Sequence, residues 1–313
     1  MKFQKPKFWD YKKPNFLSYL LLPFTFPLII NNYLLTFKKE DLSHSKIRKI
    51  CVGNIYVGGT GKTPLVIKIN HILNQLGYKS AVIKKFYKSH VDEQKILNKN
   101  TKLYCLKDRL KALGEAIKDS NDVVIFDDGL QDRSITYDLK FVCFNNIKWI
   151  GNGFLIPAGP LREKVESISK YDVVFLNGNK TDNTILKLAI NSYNKNIKIF
   201  ESHYFPTNTD QFDITKKYII FSGIGNPETF KTTLLKNKFN IVKEIIFPDH
   251  YHYTQIDINK IKLQAKNLNA KIITTEKDFV KINANNSNDI KFLKIEFKIK
   301  NEEELINYLR LHT

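Results

Sequence analysis

The stretch Val52–Pro64, VGNIYVGGTGKTP, decides the fold. It closes on Gly-Lys-Thr like a phosphate-binding loop. Yet Tyr56 stands where the strict pattern G-x-x-x-x-G-K-[ST] begins with glycine. Gly58, Gly59 and Gly61 let successive backbone N–H groups turn inward as an anion nest at a helix start. Lys62 can then reach the β- and γ-phosphates, and the Thr63 hydroxyl can bind Mg²⁺. The leading glycine only starts the turn, so its loss matters less. The run Tyr56, Val57, Gly58, Gly59, Thr60, Gly61, Lys62, Thr63 is therefore expected to bind a nucleotide. The plainer alternative is a tight strand-to-helix turn.

Outward from the loop the pattern is α/β. Residues 49–57 read as a buried strand and 64–76 as the helix after it, with Pro64 tolerated in a first helical turn. Further strands are expected at 79–83, 122–126, 140–144 and 172–176, with a helix at 109–118. Such alternation predicts a P-loop NTPase-like, mostly parallel sheet covered on both faces. Residues 200–216 read as an extended polar connector. A second, smaller α/β domain follows, with strands at 218–222, 241–247 and 271–275, helices at 227–235 and 256–268, and a last helix at 302–311. The expected division is 1–41 for an N-terminal apolar segment, 42–198 for the phosphate-loop domain, 199–217 for the linker and 218–313 for the C-terminal domain.

The apolar segment Pro14–Phe37 runs 24 residues without a charge. Pro23, Pro27, Asn31 and Asn32 interrupt it, and lysines flank both ends instead of biasing one. A broken helix in a cytoplasmic leaflet is favoured, with apolar burial and lysine–lipid attraction holding it. A single span is the second reading and a helical pair buried in a soluble core the third. No small-residue cleavage site marks a signal peptide.

The 313 residues carry 50 Lys plus Arg against 31 Asp plus Glu, a net charge of +19. That balance favours anionic partners. The basic residues are spread along the chain and no nucleic-acid recognition module is present, so nucleic acid is not an expected partner. Cys51, Cys105 and Cys143 form no C-x-x-C, and the first and last lie in apolar runs as core residues.

Three further stretches carry chemistry. In VVIFDDGLQD, Val123–Asp132, an apolar strand ends in Asp127-Asp128, where a carboxylate beside a phosphate loop holds Mg²⁺. Adjacent residues of a strand point to opposite faces, so one acid faces the metal and the other a neighbouring group. In NGFLIPAGPLREK, Asn152–Lys164, a glycine- and proline-rich loop ends in Arg162-Glu163, and Glu163 could complete a metal shell. In FPDHYHYT, Phe247–Thr254, His250 follows a strand and could assist proton removal from a hydroxyl, although alone it reads as an ordinary loop histidine.

Together, VGNIYVGGTGKTP, DDGLQ, GNGFLIPAGPLRE and FPDH, in this order after an apolar N-terminus, resemble the tetraacyldisaccharide 4'-kinase family of lipid A synthesis. SGIGNPETF (Ser222–Phe230) and TTEKD (Thr274–Asp278) extend the resemblance, which covers the chain from about Pro14 onward. It implies two α/β domains, an N-terminal membrane-contacting helix, ATP and Mg²⁺. It also implies transfer of the γ-phosphate to the 4'-hydroxyl of an acylated glucosamine disaccharide 1-phosphate lipid, giving lipid IV-A. The setting would be an anionic membrane surface, the cytoplasmic face of the inner membrane of a Gram-negative bacterium. Residue by residue, the resemblance assigns Lys62 and Thr63 to phosphate and metal, and Asp127, Asp128 and Glu163 to the metal. It assigns Asp92 to the sugar-hydroxyl proton with His250 as its pair, and Arg109 and Gln131 to the substrate.

The sequence also departs from the family. An SRGYG-like segment is replaced by IKKFY, Ile83–Tyr87. Val91 replaces the glycine before Asp92-Glu93. Asp132 replaces a histidine, which places an extra acid near Mg²⁺ and is expected to change metal affinity. The alternative function is a nucleotide-switched, membrane-associated P-loop ATPase. GGTGKT resembles the loops of the Min-type ATPases, but Val57 stands at their signature lysine.

Overall fold

Strands buried on both faces need near-continuous apolar runs, and the sequence supplies them at β1 (Arg48–Gly53), β2 (Ser80–Lys85) and β4 (Val123–Asp127). The computed structural model describes residues 5–34, 46–88, 90–249, 251–283 and 287–313. β3 (Leu103–Leu106), β5 (Leu139–Asn145), β6 (Val173–Asn177) and β7 (Lys198–Pro206) complete the strands of the first half. β8 (Lys217–Ser222), β9 (Asn240–Ile246), β10 (Ala270–Thr275) and β11 (Ile290–Leu293) form a four-stranded sheet in the order β11-β10-β8-β9. β12 (Ile295–Ile299) returns to the first sheet, which then has eight strands in the order β12-β7-β6-β5-β1-β4-β2-β3.

In the larger sheet β1 lies between β4 and β5 and runs parallel to both. From β1 the chain goes to β2, beyond β4 on one side, and it later crosses from β4 to β5 on the other side of β1. β1 is thus a switch point, where the carboxyl ends of parallel strands open onto a crevice. The glycine loop leaves the carboxyl end of β1, and Asp127 ends β4 next to it, paired in register with Val52. Ile50, Val52, Val124, Ile125 and Phe126 are fully enclosed. Each such side chain stabilises the sheet by about 1.5–3 kcal/mol relative to exposure. Cys51 and Cys143 are core residues, and burial pushes the Cys143 thiol up to about 12.

The chain forms two compact units. The smaller comprises Lys88–Ile96 and Tyr204–Phe297; the larger comprises Lys5–Tyr87, Leu97–His203 and Lys298–Thr313. This moves three expected boundaries. The supposed linker 199–217 begins as β7, because KIFESHYFP alternates and buries Phe200 and Ser202. The final helix Glu302–His312 belongs with the larger unit. A helix at Val91–Asn100, absent from the sequence reading, starts within the smaller unit and ends in the larger.

The N-terminal apolar run is broken as its prolines dictate. A helix at Phe16–Leu20, capped by the Asn15 side chain, passes into a tight turn at Leu22–Thr25 and a second helix at Phe26–Leu34. Among the described residues no helix is long and apolar enough to cross a membrane. The rest of the run and Lys38 and Lys39 lie outside the described residues. One side docks: Leu28 and Ile29 pack on Tyr56, Leu155 and Leu161, and buried Ser18 accepts a hydrogen bond from Asn152 at 2.9 Å. The other side leaves Phe16, Phe24, Phe26 and Tyr33 each more than 60% exposed.

Candidate active site

β1 stops at Gly53, four residues short of the strand expected from the sequence. A side chain there is excluded, since a Cβ on Gly53 would stand 2.6 Å from Leu130 Cγ. The next residue, buried Asn54, organises the loop from within. Its amide donates to the Tyr56 carbonyl and to Thr60 Oγ1, the latter at 3.1 Å. Gly61 has φ +84°, a left-handed conformation that glycine adopts without steric cost, and caps the helix Lys62–Gln75. Lys62 and Thr63 thus occupy the first turn, at the positive end of the helix dipole.

Tyr56, at the position of the missing leading glycine, is enclosed. It bridges to Leu161 across two backbone hydrogen bonds, Val57 N–H to the Pro160 carbonyl at 2.9 Å and Arg162 N–H to the Ile55 carbonyl at 2.7 Å. Its hydroxyl donates to Asp10 and accepts from Lys5, and Asp10 also meets Lys148 at 3.1 Å. The Val57 N–H is therefore engaged by protein. Among the residues expected at the nucleotide, the glycines, Thr60, Lys62 and Thr63 form the loop proper, while Tyr56 and Val57 anchor it.

The proline-rich loop reaches the same place. Trp9, buried, donates from its indole to the Pro157 carbonyl at 3.0 Å, and its own carbonyl accepts from Asn152 N–H at 3.0 Å. From this support Arg162 extends its guanidinium to both Asp128 oxygens, at 3.1 and 3.3 Å, and to Gln131 Oε1 at 3.2 Å. Lys62 Nζ lies 3.7 Å from Asp128. Burial alone would raise the Asp128 carboxyl, but Lys62, Arg162 and Lys84 outweigh it and bring it down to about 2.

The two adjacent acids diverge. Asp127 belongs to β4, whereas Asp128 has left the strand with φ +60°. Asp127 is fully buried, and its Oδ2 accepts from Lys84 Nζ at 2.5 Å. Its Oδ1 is buried and has no hydrogen-bond partner among the described residues. Glu163, expected to complete a metal shell, has both oxygens engaged, by Gln131 at 2.8 Å and by Tyr171 at 3.2 Å. Among the described residues no three His, Cys, Asp or Glu side chains converge as a metal site.

The remaining expected residues divide. Arg109 is buried, with its guanidinium on Asp132 at 3.0 Å and on the Asp128 carbonyl at 2.7 Å. Asp132 accepts from Ser134 as well, so this acid is held by neighbours rather than left beside the acid pair. Gln131 links the Asn54 carbonyl, at 3.0 Å, to Glu163 and Arg162. Asp92 belongs to the smaller unit, where its buried carboxylate lies 3.4 Å from Lys281 and 3.6 Å from Lys277. Lys277 also meets Glu93 at 3.3 Å and Asp249 at 3.4 Å. Burial alone would lower the Lys277 ammonium; Glu93, Asp249, Asp92 and Asp278 outweigh it and push it above its ordinary value. His250 lies outside the described residues.

Sequence reading missed Lys84, Lys277, Lys281 and the Lys5–Trp9–Asp10 support. For Lys84 a signal existed: a lysine inside the buried stretch SAVIKK points to a carboxylate partner.

A parallel sheet with a glycine loop opening a helix and an acid ending the next strand is the arrangement of phosphate-loop nucleotide-binding proteins. The family model for tetraacyldisaccharide-1-P 4'-kinase matches residues 17–312. The tetraacyldisaccharide 4'-kinase of Pelagibacter ubique (strain HTCC1062) is 49% identical over 309 residues, covering 99% of this chain and 98% of its own. That of Rickettsia bellii (strain OSU 85-389) is 35% identical over 319 residues, covering 96% of each. The crystal structure of LpxK from Aquifex aeolicus in complex with ATP shares the fold, with TM-score 0.69 at 23% identity over 95% of this chain and 99% of that one. The chain belongs to the tetraacyldisaccharide-1-P 4'-kinase family and is a kinase.

Proposed function

We propose that the chain transfers the γ-phosphoryl group of ATP to the 4'-hydroxyl of a tetraacylated glucosamine disaccharide 1-phosphate, at the cytoplasmic face of a Gram-negative inner membrane. The bond from the γ-phosphorus to the β,γ-bridging oxygen breaks, a bond to the sugar oxygen forms, and ADP and the bisphosphorylated lipid leave. The observation that carries the site assignment is the enclosed Asp127 carboxylate at the strand end beside the Gly58–Thr63 loop, with one oxygen lacking a partner among the described residues.

The loop N–H groups and Lys62 hold the β- and γ-phosphates, and Arg162 adds a fixed cation. The donor set fits Mg²⁺ shared with nucleotide, an ion that takes one or two carboxylates and fills its octahedron with phosphate and water. Asp127 Oδ1 and the Thr63 hydroxyl would hold it, with Asp128 and Glu163 around them. The ion would neutralise charge on the phosphates. Asp92, with His250, accepts or orients the proton of the sugar hydroxyl, and Lys277 and Lys281 balance its charge. Arg109 and Gln131 act on substrate through the groups they hold. The exposed aromatics of the N-terminal helices enter an anionic membrane surface, and the overall positive charge adds attraction.

The test is transfer from γ-labelled ATP to the disaccharide lipid in detergent micelles, with the product's second phosphate located by phosphorus NMR. Label at the 4'-position supports the reading. ATP hydrolysis without labelled lipid overturns it in favour of a nucleotide-switched ATPase.

A further inference from the structure

Lys84, the next-to-last residue of β2, is the register partner of Asp127 on β4. Register partners on parallel strands carry their side chains to the same face, and here the ammonium meets Asp127 Oδ2 at 2.5 Å. The two side chains are 5% and 0% exposed. A lysine is rarely enclosed unless a carboxylate pairs with it, because desolvating an ammonium costs several kcal/mol. Of Asp127, Asp128 and Glu163, Asp127 alone keeps an oxygen without a hydrogen-bond partner among the described residues. The neighbouring Asp128 meets Arg162 at 3.1 Å and Lys62 at 3.7 Å. Three carboxylates, Asp127, Asp128 and Glu163, therefore share the site with three cations, Lys62, Lys84 and Arg162, and the set is formally neutral.

A divalent ion approaching Asp127 meets a fixed positive charge that already holds half of its ligand. At the effective dielectric of such a site, one unit charge a few ångström away changes ion affinity by an order of magnitude or more. We propose that Lys84 holds Asp127 in a state of low affinity for free divalent ions, so that the ion enters together with a nucleoside triphosphate. The polyphosphate then supplies the negative charge that the ammonium takes from Asp127. The inference rests on the reading of Asp127 as a ligand for that ion.

The test is Mn²⁺ binding to the full-length, nucleotide-free protein, followed by loss of the free-ion electron paramagnetic resonance signal. Lys84→Met is expected to bind Mn²⁺ about tenfold or more tightly than wild type, as removal of one unit charge requires. Lys84→Arg is expected to match wild type. The gain is expected to vanish in Lys84→Met/Asp127→Asn, and to shrink when a non-hydrolysable ATP analogue is present. Lys84→Gln, which keeps a donor to Oδ2 without the charge, repeats the comparison should the methionine variant not fold. Equal or weaker Mn²⁺ binding by a folded, uncharged variant overturns the inference alone. A gain that survives Asp127→Asn overturns it together with the ligand reading.

Discussion

The Tyr56 hydroxyl donates a hydrogen bond to the Asp10 carboxylate, joining the residue that replaces the leading glycine of the phosphate loop to the N-terminal turn Lys7–Asp10. The loop is thus fixed from outside, by a side chain.

Tyr56→Phe removes one donor and leaves Asp10 with Lys5 and Lys148. The expected loss is about 1–2 kcal/mol, the value of a hydrogen bond to a charged group. Tyr56→Gly restores the usual loop residue yet empties an enclosed site against Leu155 and Leu161, and is expected to cost about 3–5 kcal/mol. Denaturant unfolding in detergent measures both, and an unchanged midpoint for the glycine variant contradicts the anchoring role.

Asp132 gives a pH signature. Burial alone would raise its carboxyl; hydrogen bonds from Ser134 and the Arg109 guanidinium outweigh it and hold it below its usual value. Its folded pKa therefore lies under the unfolded value of about 3.9. Its stabilisation is present above that value and is lost as pH falls through the folded pKa. Asp132→Asn is expected to lower stability by about 1–2 kcal/mol at pH 7 and by much less near pH 3. The same difference at both pH values contradicts the assignment.

In the smaller unit, Lys277→Met takes from Asp92, Glu93 and Asp249 a shared ammonium. The expected result is a stability loss of about 1–3 kcal/mol and a fall in kcat, with KM for ATP unchanged because the Gly58–Thr63 loop proposed to hold the nucleotide belongs to the larger unit. Steady-state kinetics at fixed lipid decide it, and an equal rise in KM for ATP contradicts it.

Replacing Phe16, Phe24 and Phe26 together by Ser touches exposed side chains, so stability should stay within about 0.5 kcal/mol. Binding to anionic vesicles is expected to weaken at least about tenfold, since one lost phenylalanine insertion already accounts for that factor. Co-sedimentation at constant salt reads it, and undiminished binding contradicts membrane contact through this face.

What the sequence made legible follows from burial. β1, β4 and β6 are enclosed on both faces, so their apolar runs stand out, and the glycine loop fixes what lies between β1 and the next helix. The helix Val91–Asn100, VDEQKILNKN, was illegible because it buries little beyond Asp92 and Leu97 and so shows no apolar stripe. β7 reads as a linker because its inward positions include Ser202 as well as Phe200. In IKKFY only lost family residues were visible, since strand register alone brings Lys84 to Asp127. Asp132 read as an acid for Mg²⁺ because its partner Arg109 stands 23 residues away in the chain.

The central claim is that Lys62 and Asp127 serve one phosphoryl-transfer step. Single-turnover transfer from γ-labelled ATP to the disaccharide lipid, with wild type, Lys62→Ala, Asp127→Asn and the double variant, tests it most directly. Each single variant is expected to lose about 10²- to 10³-fold in rate while remaining folded, and the double variant to lose little more than either, as groups acting on one charge do. Undiminished transfer by either folded single variant would contradict the account.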